Sequence, residues 1–357
     1  MSDVADMTTP WRRQPAAVQA GLEQWARRVG GGADVADLRV PQSGMSNDTV
    51  LFSLDGEPVV ARLAPAPGSP CPTFPTYDLE AERRVIDLVR RRTAVPAPEV
   101  VHHEPSDEWL GVPFIVIRAV EGVVPGDNPP YLLDPGGWFL QGTSEDWARL
   151  EAGSIALLPE LHRVADGEDT AFLHLDTPGA TPLDRLLADQ RAYYEWAREG
   201  HMIPMLERAL DVLSATVPTT NRSVLLWGDG RPGNIIYRDF EPVAALDWEM
   251  AGVGPPELDV AWMTFFHRFF ASVADQFGLP PVPVMFDRAE TAATYHRLGG
   301  VELDDLAWYE AFAGLRFGII VARMTLRAVA FGAQAMPDDT DQLVLFTPLL
   351  DRLLAEI

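Results

Sequence analysis

The chain has 357 residues, 47% of them hydrophobic and 22% charged, with 52 acidic against 28 basic side chains and a formal net charge of −24. Charge of that sign excludes nucleic acid and anionic membrane surfaces as partners, since both are bound through basic patches, and leaves small molecules, cations among them. A length beyond the 250–300 residues or so at which a single hydrophobic core stops growing predicts two lobes or two domains.

The first residues show no basic-then-apolar leader pattern, so a cytoplasmic location is expected. Residues 14–28 read as an amphipathic helix stopped by Gly30-Gly31-Gly32. Short β-type runs follow at 38–41, 49–54 and 58–63. Asp55-Gly56 between the last two is a strong hairpin signal, and Ser43-Gly44-Met45-Ser46-Asn47 forms a small polar loop between the first two. The proline-rich stretch 64–77 is irregular and contains Cys71, the single cysteine, which excludes an intrachain disulfide and a cysteine-rich zinc site and fits a reducing compartment. Residues 78–92 are helical, with Leu79, Val85, Ile86 and Val89 at helical spacing. Two further strands are predicted near 99–103 and 112–119, then a Gly/Pro-rich linker with an inserted loop over 120–143. From residue 144 the chain is mainly helical, with candidates at 144–164, 181–199, 203–216, 257–276, 285–298, 303–331 and 341–355, interrupted by a non-helical block at 223–254. The apolar stretch 317–322, bounded by Arg316 and Arg323, is far too short to cross a bilayer.

The chemistry is concentrated in the non-helical block. Asp229 precedes Asn234 by five positions across a Gly/Pro loop, and Asp247 follows thirteen residues later at the end of an apolar run, 243–246. Phosphoryl transfer needs a carboxylate to orient the acceptor hydroxyl and accept its proton, and oxygen ligands to hold magnesium on the phosphates; a base Asp, an Asn five residues on and a strand-terminal Asp supply them. Magnesium takes few protein ligands, so Asn234 and Asp247 suffice beside water and phosphate oxygens. Arg231 sits two after Asp229, where a guanidinium suits a transferring phosphate.

On Gly228-Asp229, Asn234 and Asp247-Trp248-Glu249, the chain resembles the aminoglycoside phosphotransferase and choline kinase superfamily, within it the bacterial branch related to the kinase domain fused to some acyl-CoA dehydrogenases. The resemblance covers roughly residues 35–335. It implies an α+β, protein-kinase-like two-lobed fold, with an N-terminal antiparallel sheet and one helix, and a larger mainly helical C-terminal lobe. The expected organisation is an N-terminal helical extension over 1–34, a nucleotide-binding lobe over 35–119 and a catalytic and substrate lobe over 120–357. By the same match Asp229 is the catalytic base, with Arg231 beside it, and Asn234 and Asp247 hold magnesium, Glu249 touching a second metal or a substrate amine. Ser43, Gly44, Met45, Ser46 and Asn47 cover the phosphates of ATP; Arg62, where the family has Lys, contacts them; Glu82 in the following helix is the partner of Arg62, with Glu80 as alternative; and Arg118, Ala119 and Val120 form the hinge facing adenine. Trp227 stands where the wider family has His, and Asp259 is expected to tie the catalytic loop. His162 is expected to pack under that loop, and Trp308, Tyr309 and Arg316 to serve the core before any acceptor pocket.

The expected activity is therefore ATP- and Mg2+-dependent O-phosphorylation of a small hydroxylated molecule by a cytoplasmic monomer or homodimer. Two other readings stay open: a kinase for a hydroxyacyl-CoA or similar catabolic intermediate, and a nucleotide-binding pseudokinase. Retention of Asp229, Asn234 and Asp247 opposes the last.

Overall fold

The computed structural model describes residues 13–40, 48–66, 72–127, 130–220 and 222–357. Its elements in chain order are α1 (Pro15–Arg28), β1 (Val35–Arg39), β2 (Asp48–Leu54), β3 (Glu57–Leu63), α2 (Leu79–Arg92), β4 (Val100–Glu104), β5 (Phe114–Arg118), α3 (Ser144–Leu161), α4 (Pro182–Ala197) and α5 (Pro204–Ala215), followed by β6 (Val224–Leu226), β7 (Ile235–Arg238), β8 (Glu241–Ala245), β9 (Gly252–Gly254), α6 (Glu257–Gln276), α7 (Arg288–Arg297), α8 (Leu306–Ala330) and α9 (Thr347–Ala355). They divide into two units, Met1–Arg84 with Pro98–Ala119, and Val85–Ala97 with Val120–Ile357.

The smaller unit is built on a five-stranded antiparallel sheet of order β1-β2-β3-β5-β4. Asp55 and Gly56 both take positive φ, 52° and 80°, so the β2–β3 turn has the backbone twist that matches right-handed strands, and Leu54 pairs with Glu57 directly across it. Strand alternation sends Val50, Phe52, Val59, Ala61, Leu63, Phe114 and Val116 to one face, where α1 covers them with Val18, Leu22, Trp25 and Ala26. Trp25 meets Phe114 edge-on at 5.5 Å. The helix read at 14–28 is thus part of this unit's core. Arg13, just before it, donates to Asp48 Oδ2 at 3.1 Å and to the Ala64 carbonyl at 2.9 Å, joining the start of the helix to both ends of the β2–β3 hairpin.

The larger unit is helical except for two short antiparallel pairs, β6–β9 and β7–β8. Capping boxes start α3 (Thr143 with Asp146) and α4 (Thr181 with Asp184), and Pro255-Pro256 precede α6, whose bounds match the sequence expectation of 257–276. The predicted helix over 341–355 divides instead: a short 3-10 turn capped by Asp339 runs over Thr340–Leu343, and Pro348 at the second position starts α9 anew. Its core is aromatic: Phe265, Phe266 and Phe269 of α6 meet Phe317 of α8, with ring centroids 4.8–5.9 Å apart. Beneath them lies an ion network: Glu310, fully buried, accepts from Thr264 Oγ1 at 2.5 Å, Arg268 Nη1 at 2.6 Å and Arg288 Nη2 at 2.7 Å. The same two arginines bond Glu356, just beyond α9. Among the described residues no helix is long and apolar enough to cross a membrane.

Hydrogen bonds from Arg268 and Arg288 hold the Glu356 carboxyl down at about 2, from 4.5. A depressed carboxylate contributes stability above its unfolded pKa and loses it as pH falls through the folded one. Glu356→Gln therefore lowers the urea midpoint at pH 7, and the gap from wild type narrows progressively below pH 4.5. A gap independent of pH between 7 and 3 contradicts the linkage.

Candidate active site

The β7–β8 hairpin sets the geometry of the block at 223–254. Ile235 pairs with Ala245, and the Leu246 N–H bonds the Asn234 carbonyl at 2.8 Å, so Asn234 and Asp247 lie at the same end of one hairpin. Asp247 takes positive φ, 59°, a strained backbone for a non-glycine residue that Asp tolerates better than most. Gly228 has φ 84°, and a Cβ built on it falls 1.9 Å from the Met250 carbonyl oxygen, so glycine is required on both counts.

Asp229 is held from several sides. Asn234 Nδ2 donates to its Oδ2 at 2.6 Å and to its carbonyl at 2.9 Å; Trp262 Nε1 donates to Oδ1 at 2.7 Å, and Arg231 Nε to the same oxygen at 3.1 Å. Burial pushes its carboxyl up, with Asp247 adding to the shift and Arg231, Trp262 and Asn234 opposing it. Arg231 also donates to Asp127 Oδ1 at 2.8 Å and lies over the Phe266 ring at 4.8 Å. Burial alone would lower the Arg231 pKa; the carboxylates of Asp229 and Asp127 outweigh it and the net shift is upward. The geometry therefore departs from the sequence expectation for Arg231: its guanidinium bridges two carboxylates and braces Asp229 instead of standing open for a phosphate.

Beneath the loop lies Asp259, almost fully buried on the first turn of α6. It accepts from the Trp227 N–H at 2.7 Å, the Gly228 N–H at 2.9 Å and His162 Nε2 at 3.1 Å, while His162 Nδ1 meets the Tyr295 hydroxyl at 2.9 Å. Trp227, also fully buried, donates from its indole to the Leu246 carbonyl at 2.8 Å and stacks on Trp248 at 5.1 Å. It connects the loop before Asp229 to the strand end before Asp247.

Asn234 and Asp247 fit magnesium by donor type. The Asn234 amide is turned by its two Nδ2 bonds so that Oδ1, which accepts no hydrogen bond among the described residues, is left as a hard oxygen donor. No group of three His, Cys, Asp or Glu side chains that could hold a metal ion is found among the described residues. Glu249 is partly buried, two residues beyond Asp247.

In the smaller unit Arg62 of β3 forms an ion pair with Glu82 of α2 at 2.7 Å, while Glu80 binds Arg83 and lies 3.2 Å from His103. Of the two carboxylates weighed from the register, Glu82 is the partner of Arg62. The N–H groups of Arg118 and Ala119, expected with Val120 to form a hinge, are committed to the carbonyls of Glu99 and Pro58. The loop expected to cover phosphates, Ser43, Gly44, Met45, Ser46 and Asn47, lies outside the described residues.

Sequence reasoning missed Asp127 and Trp262 as partners of the site. Asp127 falls in a stretch that reads only as linker and carries no signal. Trp262 lies three residues after Asp259, hence on the same face of α6, and that spacing could have placed it beside the loop. Trp308 and Tyr309 are buried, Trp308 stacked on Phe312, as expected of core residues; Arg316 is only partly buried and donates to the Gly228 carbonyl at 3.2 Å.

A model of the phosphotransferase enzyme family matches residues 37–279, more than half of the chain. Acyl-CoA dehydrogenase family member 10 of Mus musculus is 26% identical over 333 residues, covering 90% of this chain and 30% of the mouse protein. The chain spans about a third of the length of the curated relatives it matches. A Ralstonia eutropha protein assigned as an aminoglycoside phosphotransferase superposes with a TM-score of 0.66 at 21% identity, over 94% of this chain and 96% of that one. A thermostable mutant of aminoglycoside phosphotransferase APH(4)-Ia, solved as a ternary complex with AMP-PNP and hygromycin B, superposes with a TM-score of 0.57 at 17% identity, over 94% and 98%. At these identities the two structures show the protein-kinase-like fold. By the match of the family model over more than half of its length, this chain belongs to the phosphotransferase enzyme family.

Proposed function

We propose that the protein transfers the γ-phosphoryl group of ATP directly to a hydroxyl of a small molecule, with Asp229 as the base. The carrying observation is the Asn234 amide, which donates twice to Asp229 and thereby turns its own oxygen free at the hairpin end it shares with Asp247. One side chain thus orients the base and a metal ligand together. The nucleotide complex of the APH(4)-Ia structure supports ATP as donor.

Asn234 and Asp247 would hold magnesium, with Glu249 as a further contact to metal or acceptor, and the ion would neutralise charge on the phosphates. Asp229 accepts the acceptor's proton as its oxygen bonds phosphorus and the bond to the ADP leaving group breaks. Trp262 and Arg231 keep the carboxylate oriented, and Arg231 balances its charge. Arg62, fixed by Glu82, contacts the nucleotide phosphates in place of Lys. Arg118, Ala119 and Val120 face adenine.

The similarity to acyl-CoA dehydrogenase family member 10 over 90% of the chain favours a second acceptor, a hydroxyacyl-CoA or related catabolic intermediate, over an aminoglycoside. Near the C-terminus Asp339 caps the 340–343 turn and Asp341 accepts from the Met205 N–H at 2.8 Å.

Asp229→Asn is expected to lower turnover by roughly 10³-fold while leaving Mg-ATP affinity within about threefold. Asp247→Ala is expected to abolish magnesium-dependent nucleotide binding. Near-normal turnover in the first variant contradicts Asp229 as the base, whereas nucleotide binding in wild type that does not depend on magnesium favours the pseudokinase reading. A third variant tests the electrostatics. The Trp262 indole stabilises the ionised base, so Trp262→Phe raises the Asp229 pKa further. Turnover needs that ionised form, so the acid limb of the kcat–pH profile moves to higher pH; a limb that stays put removes Asp229 from the rate equation.

A further inference from the structure

Resting on the phosphotransferase reading, we propose that Arg316 of α8 is a specificity-determining residue that binds an anionic oxygen group of the acceptor, a carboxylate or comparable oxyanion, close to the hydroxyl that is phosphorylated. Arg316 and the base Asp229 share two neighbours. Arg316 Nη1 donates to the carbonyl of Gly228, the residue before Asp229, and its guanidinium lies 5.3 Å from the ring of Trp262, whose Nε1 holds Asp229 Oδ1. A group bound by Arg316 therefore sits beside the carboxylate that receives the proton.

A guanidinium has five N–H donors, and Arg316 makes no other hydrogen bond and no ion pair within 4.0 Å among the described residues. The other charged groups around it are carboxylates with their own partners. Asp229 is held by Asn234, Trp262 and Arg231; Asp259 by two backbone N–H groups and His162; Asp189 of α4 accepts from Gln190 Nε2 at 3.1 Å. Burial lowers the Arg316 pKa, and these three carboxylates act against the shift, so the partly buried guanidinium is a cation balanced only at a distance. Arg231 and Arg62, by contrast, are each engaged by a carboxylate at hydrogen-bonding distance. The planar fork of Arg316 matches a carboxylate better than a polyamine, which it would repel.

The test uses the whole protein with Mg-ATP and three sets of acceptors: short hydroxycarboxylic acids, their uncharged primary amides, and aminoglycosides. Wild type is expected to prefer each acid over its amide by kcat/KM. Arg316→Met is expected to raise KM for the acids by roughly tenfold to a hundredfold, with little change for the amides, and Arg316→Lys to recover part of the difference. If Arg316 only supports the Gly228 carbonyl, Arg316→Met lowers kcat for all acceptors by the same factor and the acid-to-amide ratio is unchanged, which overturns the proposal. Preference of wild type for aminoglycosides overturns it too. Binding of the hydroxy acids without nucleotide, followed by ligand-observed NMR and lost in a folded Arg316→Met, supports the anion site even without turnover; no binding by wild type rejects it. Mg-ATP bound with no transfer to any acceptor, while acid binding still depends on Arg316, refutes the phosphotransferase reading and leaves the anion site standing.

Discussion

The candidate site depends first on one buried carboxylate. Asp259 has no route to water, so its charge must be met by donors, and three converge on it: the N–H groups of Trp227 and Gly228 and the His162 imidazole. A carboxylate bonded to successive backbone N–H groups fixes both peptide planes. The planes it fixes immediately precede Asp229, so the direction of the proposed base is set by a buried group behind it. Helix α6 carries the arrangement: Asp259 on its first turn holds the loop, and Trp262 one turn further holds the Asp229 carboxylate.

A second constraint acts from the strand side. Trp227, where the resemblance to the wider family leads one to expect His, supplies the connection here. The indole N–H reaches the Leu246 carbonyl, and the ring is packed flat against Trp248, so the loop and the end of the β7–β8 hairpin are joined by one hydrogen bond and a stacked aromatic pair. Strain at Asp247 and the positive φ of Gly228 lie at the two ends of this connection. Both conformations persist because the surrounding bonds leave the chain no alternative path, as expected where a backbone must present functional groups in a set direction.

What was legible in the sequence follows from how local each signal is. The Asp55-Gly56 hairpin, the start of α6 after two prolines and the spacing of Asp229, Asn234 and Asp247 depend on residues near one another, and the elements appear where those signals put them. The helix at 14–28 was legible as an amphipathic element, but not that its apolar face covers the β-sheet, because a hydrophobic stripe does not name its partner. Arg231 was read from its place beside Asp229, but its second carboxylate was not legible, because Asp127 is about a hundred positions away in a loop without periodicity. The division of 341–355 into a turn and a helix turned on Asp339 and Pro348, capping details that periodicity alone overlooks.

The absence of lysine makes the positions of the arginines unusually informative. Arginine cannot relieve burial by losing its proton, so each buried guanidinium requires a carboxylate, a carbonyl or an aromatic face. Arg62 has Glu82; Arg231 has Asp229, Asp127 and the face of Phe266; Arg268 and Arg288 share Glu310 and Glu356. In each case at least one carboxylate is in direct contact. Arg316 breaks the pattern, having only a carbonyl and an indole face while three carboxylates act on it from farther away. A cation left in that state beside a base is stabilised further by any anion brought to it, and the energy of that contact is available where the acceptor hydroxyl must be oriented.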